Sequence, residues 1–311
     1  MKPKLLLGTR GSKLALAQAY KAQETIQNRH TGLDVEIVPI KTSGDRGDRD
    51  RLGACVREIQ DALLSGAVDV GLHCLKDLPV DSPEGLCMAA YLPREDPSDA
   101  FIGTVSNFDE LPKGAVVGTG SIRRSSQIAN RRPDLSFKPL VGNIDTRLGK
   151  LLKGEYDAII LAIAGLKRLH LLEQWSTLEY ASLTVNAMSS DKMLPAPGQA
   201  VLVLETREDN TRARELVSFL EHPETRACAT AERAFLKVFG GGCSMPIAAM
   251  ACMERGELQL EGLVAAPDGS CVIRGFELGP LDSPESVAKT LATRLGEQGA
   301  WDLISQGAVA P

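Results

Sequence analysis

Short runs of β-branched and aliphatic residues alternate with helix-period stretches from the start of the chain to about residue 205. A chain patterned in this way buries its strands between helices in parallel α/β layers. Residues 5–7 read as a strand, and Ser12 then caps a helix with Leu14, Leu16, Ala17 and Tyr20 on its inner face. Residues 35–40 form the next strand, 56–64 a helix, and 68–72 a buried strand that ends at His73 and enters the turn Lys76-Asp77-Leu78-Pro79. A second unit of the same plan starts near Asp99. There Val116-Val117 enters Gly118-Thr119-Gly120-Ser121 ahead of a helix over 122–131, Asn143 caps another helix reaching Leu152, and a strand over 157–162 leads into a short helix through Arg168. Residues 176–192 show no clear period. Pro195-Ala196-Pro197-Gly198-Gln199 reads as an interdomain crossing and 200–205 as a strand returning to the first sheet, and two such crossings make a hinge.

From Asn210 the pattern changes to a long helical stretch through Phe239, followed by strands over 247–253, 258–265 and 271–278. Ala266-Pro267-Asp268-Gly269 is a hairpin signal between the last two, and Ser283-Pro284-Glu285-Ser286 opens a final helix with a cap residue and a first-turn proline. This tail is a small α+β domain. A length of 311 residues exceeds one ordinary core. The expected division is domain 1 from 1–98 and 197–215, domain 2 from 99–196, and domain 3 from 216–311.

Thirty-five basic against forty acidic residues leave a net charge of -5, which argues against a nucleic-acid-coating surface or a polybasic membrane anchor. No apolar run approaches membrane-spanning length and the first residues carry no apolar signal core, so a cytosolic protein is expected. The seven cysteines are odd in number and scattered, none at Cys-x-x-Cys spacing, and the four histidines are isolated. Neither a disulfide framework nor a zinc site is expected.

Four turns where a strand feeds a helix pair a cation with small or hydroxyl residues: Thr9-Arg10-Gly11-Ser12, Lys76-Asp77, Thr119-Gly120-Ser121-Ile122-Arg123-Arg124 and Asn143-Ile144-Asp145-Thr146-Arg147. Ligands of open α/β sheets sit at such strand ends, where helix N-termini offer unpaired N–H groups and Arg a two-pronged donor. Each turn alone reads better as a solvated Arg beside an ordinary cap; four at equivalent positions point to one site for several anionic groups. Neither a Walker-type run nor Gly-x-Gly-x-x-Gly is present, so multiple carboxylates fit as well as phosphate. Asp77 is the acid among these bases, able to steady a cation or pass protons, and its spacing alone equally allows a Lys-Asp pair closing a turn. In Gly240-Gly241-Gly242-Cys243-Ser244-Met245-Pro246 three glycines leave a thiol reachable, although a Gly-rich helix end with a half-buried Cys is the commoner use of such a loop.

The order and spacing of several stretches resemble the porphobilinogen deaminase (hydroxymethylbilane synthase) family over essentially the whole chain. They include residues 9–19, Thr42-Ser43-Gly44-Asp45, His73-Cys74-Leu75-Lys76-Asp77-Leu78-Pro79, Arg94-Glu95-Asp96-Pro97, Gly118-Thr119-Gly120-Ser121-Ile122-Arg123-Arg124, Gly142-Asn143 and Thr146-Arg147-Leu148. Residues 164–169, 195–199, 231–236 and 241–243 complete the series. The resemblance implies two α/β domains similar to type II periplasmic binding proteins, hinged to each other, plus a C-terminal α+β domain. It implies a dipyrromethane cofactor held by a thioether to Cys243 and built from the enzyme's own substrate chemistry. It implies a cytoplasmic, monomeric transferase of porphyrin biosynthesis that deaminates four porphobilinogen molecules, joins them head-to-tail on that primer and releases hydroxymethylbilane, with no nucleic-acid or membrane partner.

By matched position, Asp77 would face the pyrrole nitrogens and manage their charge and protons. Arg10, Lys76, Arg123, Arg124, Arg147 and Arg168 would bind the acetate and propionate groups, and Ser12, Gln18, Thr119, Ser121, Asn143 and Gln199 complete the binding set. The chain departs from the pattern in places. Val141-Gly142-Asn143 stands for the family's Arg-Gly-Asn, and Leu52-Gly53-Ala54-Cys55-Val56 for Gly-Gly-Lys-Gly-Leu-Phe. Gly120, Ala200 and Cys74 replace a usual Ser, Gly and Ser. A divergent paralogue with altered or weak turnover and a non-enzymatic two-lobed binding module are the alternatives.

Overall fold

The computed structural model describes residues 3–43, 55–241 and 245–307. The chain divides into two units, Met1–Glu95 with Ala200–Arg226, and Asp96–Gln199 with Ala227–Pro311. In chain order the first unit opens with β1 (Lys4–Arg10), α1 (Lys13–Arg29), β2 (Asp34–Ile40), α2 (Arg57–Leu64), β3 (Val70–Cys74) and β4 (Leu86–Tyr91). The second contains β5 (Asp99–Gly103), β6 (Val116–Gly118), α3 (Ile122–Arg131), β7 (Ser136–Lys138), α4 (Ile144–Leu152), β8 (Ala158–Ala162), α5 (Ile163–Arg168), α6 (Leu171–Gln174) and β9 (Thr184–Ala187). The chain then returns to the first sheet with β10 (Leu202–Arg207), followed by α7 (Thr211–Val217) and α8 (Pro223–Val238). It ends in β11 (Ile247–Glu254), β12 (Glu257–Ala265), β13 (Val272–Gly279), α9 (Pro284–Leu295) and α10 (Trp301–Gly307).

Two five-stranded sheets share one plan, β2-β1-β3-β10-β4 and β7-β6-β8-β5-β9. In the first, β1 lies parallel to β2 and β3, and β10 is antiparallel to both β3 and β4. In the second, β6 lies parallel to β7 and β8, and β5 is antiparallel to both β8 and β9. These are two α/β domains of one topology. A third, three-stranded antiparallel sheet, β11-β12-β13, with its helices forms the C-terminal α+β domain.

Strand alternation decides where each core lies. Ile102 and Leu161 face one cluster with Leu148 and Trp175, while Phe101 and Ile160 face another with Phe108 and Ile128, so the second sheet is buried on both faces. In the C-terminal domain Ile247, Ala249 and Ala251 pack with Phe235 of α8, Phe239 just beyond its end and Leu291 of α9. The opposite face of that sheet seats Leu194 on Ala248, Leu263 and Ala265. Burying a Leu or Phe side chain contributes roughly 1.5–3 kcal/mol. The hairpin between β12 and β13 also docks on α3, where Asn130 Nδ2 donates to the Gly269 carbonyl at 2.8 Å. A Cβ on Gly269, whose φ is +77°, would stand 2.6 Å from the Ser126 carbonyl oxygen, so only glycine fits.

Several expectations are corrected. The inner face of α1 is Gln18, Ala19, Ala22 and Ile26, whereas Tyr20 is 58% exposed. At 100° per residue Leu14, Leu16, Ala17 and Tyr20 spread over about 160° of the helix, whereas the buried set falls within about 100°. The helical stretch through Phe239 is broken: α7 ends at Val217, a 3-10 turn covers Ser218–Leu220, and α8 starts at Pro223, whose missing N–H costs nothing in a first turn. The aperiodic region contains β9, and β3 runs on through Cys74. Among the described residues no helix is long and apolar enough to cross a membrane, and no disulfide links the six cysteines there.

Candidate active site

In the first unit the site residues gather at the carboxyl edge of β1 and β3, which are parallel neighbours. Arg10 is the last residue of β1, and Ser12 Oγ accepts from the Ala15 amide at 3.3 Å to cap α1. Gln18, buried one turn later, contacts Cys74 Sγ at 3.9 Å and so ties α1 to the end of β3. A 3-10 turn, Leu75–Asp77, follows at once. Leu75 and Leu78 are buried, the Leu75 amide donates to the Val201 carbonyl at 3.0 Å, and the Leu78 amide closes on Leu75 at 3.1 Å. Between these anchors Lys76 is half-buried and Asp77 is exposed. The fold thus presents a carboxylate from a turn that its two leucines hold in place.

In the second unit the corresponding edge belongs to β7, β6 and β8. Thr119 is buried, its amide bonded to the Lys138 carbonyl at 3.0 Å and its Oγ1 accepting from the Ser121 amide at 3.2 Å. Ser121 and Asn143 occupy the cap positions of α3 and α4, but neither side chain bonds the helix it precedes. The sequence reading of Asn143 as a cap therefore holds for its position and not for its side chain. Arg147 Nε donates to the Gly142 carbonyl at 2.8 Å, and Arg168 is half-buried at the end of α5. With their capping bonds unmade, the first amides of both helices retain the positive end of the helix dipole for an anion.

Arg123, Arg124 and Gln199 are placed differently from the other expected binding residues. They converge on Asp99, which is fully buried at the start of β5. Arg123 pairs with Asp99 Oδ2 at 2.8 Å and donates to the Leu194 carbonyl at 2.8 Å. Arg124 reaches Asp99 Oδ1 at 2.6 Å and the Ile160 carbonyl at 3.0 Å, and Gln199 Nε2 reaches Asp99 Oδ1 at 3.0 Å and the Pro97 carbonyl at 2.6 Å. Burial alone would push the Asp99 carboxyl up, but the Arg123 and Arg124 charges, with the hydrogen bonds from Arg124 and Gln199, hold it far below the usual carboxylate range. The sequence reading did not single out Asp99. Its available signal was an acid opening the apolar run Ala100-Phe101-Ile102.

This pairing sets an acid limb. Because the folded carboxyl titrates below its ordinary value, the stabilisation is complete above about pH 4 and is lost as pH falls below it. Asp99→Asn should cost about 3–5 kcal/mol at neutral pH, since two buried guanidiniums lose their counter-charge. The same variant should flatten the stability loss below about pH 4, read by denaturant melts at several pH values.

Cys243, the expected attachment point, and residues 44–54, which include most of the altered loop, lie outside the described residues. Among the described residues no cluster of His, Cys, Asp and Glu could hold a metal ion.

The described chain is thus built mainly of two α/β domains of one topology, each with cationic side chains near its strand ends. Residues 5–215 match the family description "Porphobilinogen deaminase, dipyromethane cofactor binding domain", and residues 226–297 match "Porphobilinogen deaminase, C-terminal domain". The chain is 42% identical over 309 residues to the porphobilinogen deaminase of Chromobacterium violaceum, covering 97% of each. It belongs to the porphobilinogen deaminase family. Among solved structures it is similar to the BvgS VFT2 domain of Bordetella pertussis, with TM-score 0.41 at 18% identity, covering 75% of this chain and 90% of that one. It is also similar to the periplasmic aliphatic sulphonate binding protein SsuA of Escherichia coli, with TM-score 0.41 at 14% identity, covering 76% and 71%.

Proposed function

We infer that the chain is a transferase with hydroxymethylbilane synthase activity: it takes porphobilinogen as substrate, carries a dipyrromethane cofactor, and builds a linear tetrapyrrole for porphyrin biosynthesis. The observation that carries this reading is the near-complete match to the family in both its cofactor-binding and C-terminal parts. The chemistry of the described side chains fits such a cofactor, because a primer bearing acetate and propionate groups needs cations: Arg10 ends β1, Lys76 follows β3, Arg147 lies in the first turn of α4 and Arg168 ends α5. When bound, the dipyrromethane supplies the free pyrrole carbon on which the chain grows.

The protein's own residues do the rest in this reading. Cys243 holds the primer through its sulfur. Arg10, Lys76, Arg147 and Arg168 bind carboxylates of primer and substrate, with Ser12, Thr119, Ser121 and Asn143 adding hydrogen bonds and Gln18 steadying the wall behind them. Asp77 balances the positive charge on pyrrole nitrogen as ammonia leaves and receives the proton released after each coupling. Arg123, Arg124 and Gln199 support the second wall through Asp99, and any contact of theirs with a carboxylate uses N–H groups beyond those already bonded. Three domains, 1–98 with 197–215, 99–196 and 216–311, a monomeric state and a cytosolic location complete the proposal. The test supplies porphobilinogen and follows uroporphyrin after acid oxidation; a protein that is primed yet yields none would sink it.

Val141 favours a second reading, a divergent paralogue with altered or weak turnover, because this residue is 52% exposed where the resemblance implies an Arg. Val141→Arg should lower KM for porphobilinogen by about two- to five-fold, the gain expected of one solvent-exposed ion pair. Initial rates measure this, and an unchanged KM would mean that the position does not meet the substrate.

A further inference from the structure

Glu232 lies on α8 and is completely buried. Its two carboxylate oxygens accept from two backbone amides on separate elements, Oε1 from Ala251 of β11 and Oε2 from Gly198 of the crossing segment, each at 2.7 Å. The next residue, Gln199, donates its side-chain amide to Asp99, and Asp99 holds Arg123 and Arg124 at the start of α3. A backbone bond from Ala249 to the Pro195 carbonyl at 3.2 Å and the seating of Leu194 on the C-terminal sheet run alongside. A buried carboxylate costs several kcal/mol unless its hydrogen bonds are made, so its place between two donors fixes their spacing closely. Only a carboxylate offers both oxygens as acceptors; an amide turns an NH2 toward one of the two N–H groups.

We propose that Glu232 is a positioning residue for chain elongation. It registers the C-terminal domain, whose α8 leads to the Cys243 loop, against the Gly198-Gln199 turn and through it against the Asp99–Arg123–Arg124 cluster. This rests on the functional reading above. Displacing that turn shifts the growing chain relative to its partners, and an error near 1 Å costs on the order of a hundred-fold in rate.

The experiment compares wild type with Glu232→Gln, Gln199→Met and the double variant, each scored by intact mass for the fraction carrying primer. Turnover of porphobilinogen is expressed per primed molecule, well below the melting temperature. Glu232→Gln should lower kcat by about ten-fold or more while KM stays within about two-fold. Gln199→Met should do the same, and the double variant should fall no further than the worse single one, because both break one chain of contacts. If Glu232→Gln does not fold, the Gln199→Met result decides. Glu221→Gln is the control, since this carboxylate also accepts a backbone amide, that of Tyr91 at 2.8 Å, and lies outside the chain of contacts. It should lower only the melting temperature. Unchanged kcat per primed molecule, losses that add in the double variant, or an equal loss in the control would each overturn the proposal. A wild type without primer or turnover would overturn the functional reading instead.

Discussion

Asp77→Ala should yield a folded protein that has lost elongation by about 10²–10⁴-fold, the range expected when a positioned proton-transfer group is removed. The fold survives because Asp77 is exposed, while the turn bearing it is held by buried Leu75 and Leu78 and by the Leu75 amide bond to Val201. The loss arises because Lys76 is the neighbouring charge and has the wrong sign to stabilise a pyrrole cation. Rapid-quench counting of pyrrole units on the protein separates the step affected from product release. Normal elongation in the variant would remove Asp77 from the chemistry. Asp77→Glu should retain more activity than Asp77→Asn, since charge matters here more than reach.

Cys243→Ser is the second large effect. A serine hydroxyl is far less nucleophilic than a thiolate at neutral pH, so the variant should carry no primer and show turnover below about one part in a thousand of wild type. Intact mass is decisive, because wild type should be heavier than its sequence by two linked pyrroles and the variant should match its sequence. A loaded serine variant, or a bare wild-type thiol after incubation with porphobilinogen, would break the assignment. Far-ultraviolet circular dichroism should be alike in the two proteins, which keeps a folding defect from being read as a chemical one.

Much of the fold is legible where local and global signals agree. The helix expected over 122–131 is found as Ile122–Arg131, because Gly-Thr-Gly-Ser ahead of it breaks the strand and supplies the cap position. The C-terminal strands stand within two residues of their expected bounds, since their alternation and the Pro-Asp-Gly turn point the same way. Four strands were not anticipated. β7 has three residues, β4 and β5 lie in segments with no helix between them, and β9 holds an exposed Asn. For the candidate site, the places of Arg10 at the end of β1, Lys76 after β3, and Ser121 and Asn143 at helix starts were legible. The partners of Arg123 and Arg124 were not, because a buried counter-ion 24 and 25 residues away leaves no periodic trace. Likewise Glu232 reads as an ordinary helical acid until the two amides it accepts are in place.

The placement of β10 has a consequence for synthesis on the ribosome. This strand is hydrogen-bonded between β3 and β4, yet it is translated only after the whole of the second α/β domain. The first hundred residues therefore emerge with two strand edges open, while Asp96–Gln199 brings its own inserted strand, β5, at its beginning. Of the two α/β domains, the one begun first is the one completed last, and its nascent form is the stage at which a chaperone has the most exposed backbone to shield.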